Sequence, residues 1–539
     1  MDLTYGELDT LSSELARELV RRRVKAETIV PLCFEKSRWT TVAMLGVMEA
    51  GGAFVLLDAG QPEARLRSIV EKVDAEVLVC STQHEKTGAR LLPTVGAVLV
   101  ASAQPNGWST AEDDEHQLPP IDPKSALYVV FTSGSTGTPK GITVTHAQYV
   151  SGVCPRIECL GYHAGIRIFN FASYSFDVAA DNMVTATIVG GCLCIPSDAE
   201  RRDDVVGSIR RTHAEVANVT PTLARLISAE ELPFLQTLIL LGKKLFFQDI
   251  DAWRGQTLAT TIKSEPSNIG HGVGCVTWVV DPADYRRLVP IGTVGELLIE
   301  GPIVGRGYLG DPEKTTAAFI EDPPWLLCGG GGVAGRRGRL YKTGDLVRYA
   351  SDGSLVFVKV RGQRVELGEV EYLTRQALPP GSEVVAEVSK LGSQIEGESE
   401  SETRETREKV VRELVAGLDE AVEAKLPRYM VPSAYVPVDS KPTTTAGKTD
   451  RKRLREIATT MTTADLAGWR AATGAKRSPN TDVEQQLAAL WADVLQVDVD
   501  TIGLDDSFFR LGGDSIGAMK LVSVAREHGR RLTVADIFV

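Results

Sequence analysis

The chain has 539 residues, which at roughly 150 residues per domain implies about three or four folding units. Hydrophobic residues make up 43% and charged residues 24%, an ordinary globular balance that excludes wholesale disorder. Acidic side chains outnumber basic ones, 71 against 59, and no basic stripe offsets the net charge of −12. Nucleic acid, whose phosphates need clustered Lys and Arg, is therefore not expected as a partner.

Met1-Asp2-Leu3 opens no basic-then-apolar leader, so no signal peptide is expected. Residues 7–23 then place Leu8, Leu11, Leu15 and Leu19 on one face of a helix. The most apolar stretch, residues 41–57, is broken by Glu49, Gly51 and Gly52, which argues against a bilayer span or a membrane partner. Val77-Leu78-Val79-Cys80, Leu127-Tyr128-Val129-Val130-Phe131 and Leu238-Ile239-Leu240-Leu241 are short strand-like runs. Their alternation with helical stretches up to about residue 350 predicts α/β layers with mostly buried sheets. Gly329–Gly332 and Gly335–Gly338 read as a surface loop, and residues 392–409, rich in Glu, Ser and Thr, as a solvated excursion. Residues 461–479 read as a linker. Thr481-Asp482-Val483-Glu484 has capping-box form, and Val483, Leu487, Leu490, Trp491, Val494 and Leu495 form one apolar stripe behind it. A second helix is expected from about Asp514 to Gly529, with Ile516, Met519 and Val522 inward. Eight Cys without a Cys-x-x-Cys pair, and seven His without zinc spacing, fit a reducing compartment. A soluble cytoplasmic protein is expected, with no residue assigned to a metal.

The segment richest in chemistry is Phe131-Thr132-Ser133-Gly134-Ser135-Thr136-Gly137-Thr138-Pro139-Lys140-Gly141. Gly lets backbone N–H groups approach a polyphosphate, hydroxyls donate hydrogen bonds, and Lys140 adds a point charge. A Ser/Thr/Gly linker would share this composition, but an apolar strand before it and Pro139-Lys140-Gly141 after it favour a phosphate-holding turn. It is not a Walker A loop. Gly447-Lys448-Thr449 ends like one, but Pro442 stands where its first Gly belongs.

The segment at residues 131–141 resembles the signature loop of the adenylate-forming enzymes: acyl-CoA ligases, luciferases and the adenylation domains of nonribosomal peptide synthetases. Further motifs follow in the family's order. Leu3-Thr4-Tyr5-Gly6-Glu7-Leu8, Ala50-Gly51-Gly52-Ala53-Phe54-Val55 and the stretch from Gly295-Glu296-Leu297 to Gly307-Tyr308-Leu309 resemble core motifs. Tyr341-Lys342-Thr343-Gly344-Asp345-Leu346 is similar to the ribose-binding motif. Leu426 to Pro432 and Ala446-Gly447-Lys448-Thr449-Asp450-Arg451 resemble the last two, and the wording of residues 268–281 is fungal in type. Leu511-Gly512-Gly513-Asp514-Ser515-Ile516 resembles the attachment site of peptidyl carrier domains. The peptide-synthetase branch fits best.

The resemblance implies an α/β fold in which a large multi-sheet subdomain (1–358) is followed by a small α+β subdomain (359–460). A linker (461–479) and an all-α carrier bundle (480–539) complete it. It implies two half-reactions, in which an amino acid is activated with ATP as an aminoacyl-adenylate and then transferred to a carrier-bound thiol. Lys448 would be the cation at the charged transition state. Thr132, Ser133, Gly134, Ser135, Thr136, Gly137 and Lys140 would bind ATP phosphates, with Mg²⁺, and Asp345 would accept from the ribose hydroxyls. Asp177, after Ser173-Tyr174-Ser175-Phe176, would grip the substrate's α-ammonium, although Asp at a helix start is also a common cap. Ser515 would receive 4′-phosphopantetheine from a phosphopantetheinyl transferase, and a condensation domain of the same assembly line would be the next partner.

Three departures stand out. The family's Asn-x-Tyr-Gly-Pro-Thr-Glu motif does not follow Trp253-Arg254-Gly255, and no Gly-Arg-x-Asp hinge precedes Arg361-Gly362. Leu240-Leu241-Gly242-Lys243-Lys244 replaces a run that usually holds Gly and Glu. Both ends read as cuts within a longer assembly-line protein. Two alternatives stay open: an adenylation-impaired remnant working mainly as a carrier module, and a stand-alone acyl-CoA ligase, which Asp177 and the carrier motif disfavour.

Overall fold

The computed structural model describes residues 2–92, 97–101, 117–132, 139–224, 227–240, 268–330, 334–359 and 367–378. Beyond these it describes 418–423, 477–495, 497–504, 515–528 and shorter pieces between them and up to residue 537. The chain divides into two units. The first comprises Met1–Gly60, Leu66–Thr132 and Lys140–Gln363; the second comprises Gln61–Arg65, Ser133–Pro139 and Arg364–Val539.

The first unit opens with the helix Tyr5–Arg21, whose Thr4 and Glu7 close a capping box. Leu15 and Leu19 of the expected face are buried and Leu8 and Leu11 half-buried. Helix Arg38–Glu49 packs closely on it, because a Cβ at Gly46 would lie 3.0 Å from the Leu15 side chain. The first sheet is built from β1 (Ile29–Phe34), β2 (Ala53–Asp58), β3 (Val77–Cys80), β4 (Ala97–Val100), β5 (Ala126–Thr132) and β6 (Lys140–Thr145). β1 to β5 are parallel in the order 5-2-1-3-4, and β6 pairs antiparallel with β5. Near-continuous apolar runs such as Ile29–Phe34 suit a parallel sheet, whose two faces are both covered.

The second sheet is parallel, with β7 (Arg167–Phe169), β8 (Cys192–Cys194), β9 (Val216–Val219) and β10 (Thr237–Leu240) in the order 10-9-7-8. Helix Asp177–Val189 connects β7 to β8. The third sheet departs from the expected alternation. Its strands β11 (Asn268–Gly270), β12 (Val276–Asp281), β13 (Asp284–Leu288) and β14 (Gly295–Glu300) pair antiparallel with the later strands of the same stretch. Of those, β15 (Gly307–Tyr308) returns to pair with β6 in the first sheet. β16 (Phe319–Glu321), β17 (Arg339–Tyr349) and β18 (Leu355–Lys359) complete the third. Antiparallel neighbours can be joined by tight turns and need no crossover helix, and β11 to β14 follow one another without one, while the short helices Pro312–Ala318 and Pro324–Cys328 flank β16. Residues 334–338 are largely exposed, as expected, but tethered: Arg336 donates to both carboxylate oxygens of Glu300 at 3.1 and 2.7 Å.

In the second unit, helices Leu367–Ala377 and Leu418–Glu423 precede the helices Asp482–Leu495, Ser515–Glu527 and Val534–Ile537. Phe508, Ala518, Leu521, Val522 and Ile537 form a buried cluster, against which Leu490, Trp491, Val494 and Leu495 pack. Trp491 meets Phe508 edge to face, with centroids 5.3 Å apart. The capping box is present: Thr481 N donates to Glu484 Oε2 at 2.9 Å and Glu484 N to Thr481 Oγ1 at 3.3 Å. Val483, expected in the apolar stripe, is exposed instead. It lies in the first turn, beyond the reach of the Phe508 cluster, and Ala488 fills the buried position one turn on. The 392–409 excursion, linker residues 461–476 and the side chains of Ile516 and Met519 lie outside the described residues.

Candidate functional site

β5 is buried from Ala126 to Val129 and emerges to an exposed Thr132, while β6 begins at a half-buried Lys140. Thr132 and Lys140 are direct cross-strand partners. The antiparallel pairing of β5 and β6 therefore brings together Thr132 and Lys140, the residues that bracket the phosphate-type segment in the sequence. Phe131 pairs with Gly141, and a Cβ on Gly141 would meet the Phe131 ring at 3.0 Å. Glycine there lets the ring cover the strand. Gly141 O accepts from Leu309 N at 2.7 Å, which ties β6 to the end of β15. Burial holds Lys72 below the ordinary lysine range, and the nearby Lys314 and Lys140 ammoniums add to this against Asp311. Lys314 is itself ion-paired with Asp311 at 2.5 Å. Ser133, Gly134, Ser135, Thr136, Gly137, Leu241 and Lys448 lie outside the described residues.

Asp345 is presented by a bulge. On β14 the pairing jumps from Glu296↔Leu346 to Leu298↔Lys342, so Thr343-Gly344-Asp345 loops out opposite Leu297. Gly344 has φ of 76°, a left-handed conformation that glycine adopts at no steric cost. Its N–H donates to Glu296 Oε1 at 3.1 Å, and Thr343 Oγ1 donates to Leu297 O at 2.8 Å. Asp345 N in turn donates to Thr343 Oγ1 at 3.1 Å, which fixes the backbone that carries the carboxylate.

Asp177 is the first helical residue rather than the cap, which is Phe176. Its Oδ1 accepts from Val178 N at 2.9 Å, and it is exposed. Burial pushes the Tyr128 phenol up, and the neighbouring Asp177 and Asp181 carboxylates push it further. Asp345 acts similarly on Tyr341, whose phenol is raised by burial and by Tyr308 before that carboxylate. Tyr308 meets Phe319 at 5.7 Å and Phe319 meets Tyr341 at 4.9 Å. The rings of Tyr308 on β15, Phe319 on β16 and Tyr341 on β17 pack in series, and β15 pairs with β6, the second strand of the Thr132–Lys140 pair. Ser515 belongs to the second unit, where it is the first residue of helix Ser515–Glu527.

Some of this surrounding was not readable from motifs. Lys72 and Lys314 are far apart in the chain and carry no local signal. A Gly inside a strand does signal a bulge, so the lift of Asp345 was readable from Thr343-Gly344-Asp345. No described helix is long and apolar enough to cross a membrane. Among the described residues, no group of three or more His, Cys, Asp or Glu could hold a metal, and all eight Cys are free thiols.

Residues 1–258 match the model of the AMP-binding enzymes, and residues 485–539 match that of the phosphopantetheine attachment site. The nonribosomal peptide synthetase SIDD of Beauveria bassiana is 45% identical over an alignment covering 99% of this chain and 31% of that protein. The synthetase sidD of Aspergillus fumigatus is 43% identical over 99% of this chain and 28% of its own length. The chain thus spans about a third of these curated relatives. Among solved structures, holo-PA1221, a peptide synthetase protein containing adenylation and PCP domains, superposes with a TM-score of 0.71 at 21% identity. That match covers 99% of this chain and 91% of the solved one. The NpsA-ThdA adenylation–PCP fusion from Klebsiella oxytoca gives 0.62 at 20% identity, over 82% and 89%. At these identities the likeness establishes the fold.

A mixed α/β AMP-binding region followed by a helical phosphopantetheine attachment region defines the architecture, that of the adenylation–PCP structures. Residues 1–258 thus carry an AMP-binding enzyme region and residues 485–539 a phosphopantetheine attachment site, and along 99% of its length the chain is similar to part of fungal nonribosomal peptide synthetases.

Proposed function

We propose that this segment activates an α-amino acid with ATP as an aminoacyl-adenylate and loads it onto the carrier at Ser515, as one step of secondary-metabolite assembly. The observation that carries the reading is the joint presence, in one chain, of an AMP-binding region that contains the Thr132–Lys140 pair and of a phosphopantetheine attachment domain. Residues 132–137 and Lys140 bind the ATP phosphates, and Mg²⁺ enters with those phosphates. Asp345, held out by its bulge, accepts from the ribose hydroxyls. Asp177 takes the substrate ammonium, and Lys448 neutralises charge at the pentavalent phosphorus. Ser515 begins its helix, whose positive dipole end suits a phosphodiester. The phosphopantetheine arm, once attached by a phosphopantetheinyl transferase, supplies the acceptor thiol, and a condensation domain of the longer cytoplasmic protein is the next partner.

A second reading, a weakly adenylating remnant, draws on one observation. The alignment with the Beauveria relative runs to 572 positions although this chain has 539 residues, so stretches of the relative have no counterpart here. The missing Tyr-Gly-Pro-Thr-Glu and hinge motifs are such stretches in kind. Incubation with a phosphopantetheinyl transferase and CoA should give one mass adduct that disappears in Ser515→Ala. An adduct that persists in Ser515→Ala contradicts the carrier assignment. Amino-acid-dependent ATP–pyrophosphate exchange tests the adenylating half.

A further inference from the structure

The residues before Asp177 are held by a half-buried polar network that the adenylation reading does not use. Asp58 ends β2, and its Oδ1 accepts from Gly60 N at 2.9 Å. Its Oδ2 accepts from the hydroxyl of Ser173 in a short hydrogen bond and from that of Ser175 at 3.4 Å. Ser175 N donates back to Ser173 Oγ at 3.1 Å, and Phe176 N to Ser173 O at 3.0 Å. One carboxylate therefore clamps both hydroxyls of a turn that ends at Phe176, directly before Asp177.

The turn is pinned from below as well. The Tyr174 ring is buried, its hydroxyl donates to Thr40 Oγ1 at 2.9 Å, and Lys36 Nζ lies 4.3 Å from its centroid. Lys36, itself buried, donates to Asn170 Oδ1 at 3.3 Å. Asp58 and Lys36 follow the carboxyl ends of adjacent parallel strands. They line a cavity of about 230 Å³ together with Ser173, Tyr174, His84 and Arg201. Inside a protein a carboxylate commits strongly to such hydroxyls, because leaving it unpaired costs more than the bond gains.

We infer that Asp58 is a positioning residue for amino-acid recognition: through Ser173 and Ser175 it fixes the turn that aims Asp177 at the substrate ammonium. This rests on the reading of Asp177 given under Proposed function. Asp58 touches no reacting atom in this scheme; it acts through the turn. Positioning of this kind matters because an ammonium–carboxylate bond is directional and loses strength steeply once misaligned.

Two measurements on the full chain separate this inference from the function it rests on. Amide hydrogen exchange reads the turn without any substrate. Asp58→Asn and Ser173→Ala/Ser175→Ala should each speed exchange in peptides spanning 170–178 by tenfold or more, with peptides in β1 and β7 unchanged. The triple variant should be no faster than Asp58→Asn, because both changes break the same clamp. Unchanged exchange in 170–178, or additive effects in the triple variant, overturns the inference whether or not the chain adenylates. In ATP–pyrophosphate exchange with each of the twenty standard amino acids, Asp58→Asn should raise KM for the amino acid about tenfold or more and leave KM for ATP unchanged. Equal rises in both, or a fall in kcat alone, also overturns it. Exchange with no amino acid by the native chain counts against the adenylation reading, and the amide-exchange result then decides the clamp.

Discussion

Charge sets what single residues can do here. If Lys448 and Asp177 act as proposed, one at the transition state and the other in substrate binding, their losses should be distinguishable. Removing a directed cation from a charged transition state costs about 2.7–4 kcal/mol, so Lys448→Ala should lower the rate of adenylate formation on the order of a hundredfold or more. Asp177 binds ground and transition state alike, and Asp177→Ala should appear mainly as a higher KM for the amino acid. Pyrophosphate-exchange kinetics check both; equal loss of one parameter in both variants contradicts the division of roles.

Lys36 makes a second residue-scale prediction. Burial, with Arg201 nearby, pulls its ammonium down to about 7, against the opposing pull of Asp198 and Asp58. The fold thus favours neutral Lys36, whereas the unfolded chain keeps the proton up to about 10.5. Between those values the unfolded state binds the extra proton, so this contribution to stability rises with pH; below about 7 both states carry it and the contribution is flat at its minimum. The stability difference between the native chain and Lys36→Met should therefore move in the native chain's favour from pH 7 to pH 9, by up to about 1.4 kcal/mol per pH unit. Denaturant titrations at the two pH values measure it, and a pH-independent difference contradicts it.

Among elements, the β17 bulge carries the most consequence. Its Gly344 at φ 76° has no steric need for a substitute, and Gly344→Ala must pay about 1–2 kcal/mol to keep a left-handed conformation. If the bulge relaxes instead, Asp345 leaves its fixed backbone. KM for ATP should rise several-fold in Gly344→Ala, with KM for the amino acid little changed, as initial-rate kinetics would read. Elements with one dominant local signal were legible in the sequence: β3 coincides with the Val77–Cys80 run, and the Thr481 capping box starts its helix as expected. The third sheet was not, because its antiparallel pairing is set by turn geometry and cross-strand partners rather than by any single run. Val483 was misplaced because helical spacing fixes a face but not where along the helix the neighbouring core stops. Of the site, Asp345, Asp177 and the Thr132–Lys140 segment were legible through motifs. Lys72, Lys314 and the Asp58 clamp depend on contacts between distant segments, such as Ser173 with Asp58, which no local pattern carries.

For the whole molecule, the open question is how well a chain with these motifs missing can adenylate. Losing the family's aromatic under the adenine should weaken stacking by ~1–3 kcal/mol, by analogy with base–aromatic stacking. A shortened hinge before Arg361 should also hinder the dihedral change that a moving subdomain needs between half-reactions. Both effects lower the rate without changing what is activated. The most direct measurement is ATP–pyrophosphate exchange by the full chain across the twenty standard amino acids, beside a version with both motifs inserted as the family spells them. The account predicts slow exchange with one or a few amino acids, abolished by Lys448→Ala and raised well above the native chain by the insertions. Absence of amino-acid-dependent exchange in both the native and the restored chain would contradict it.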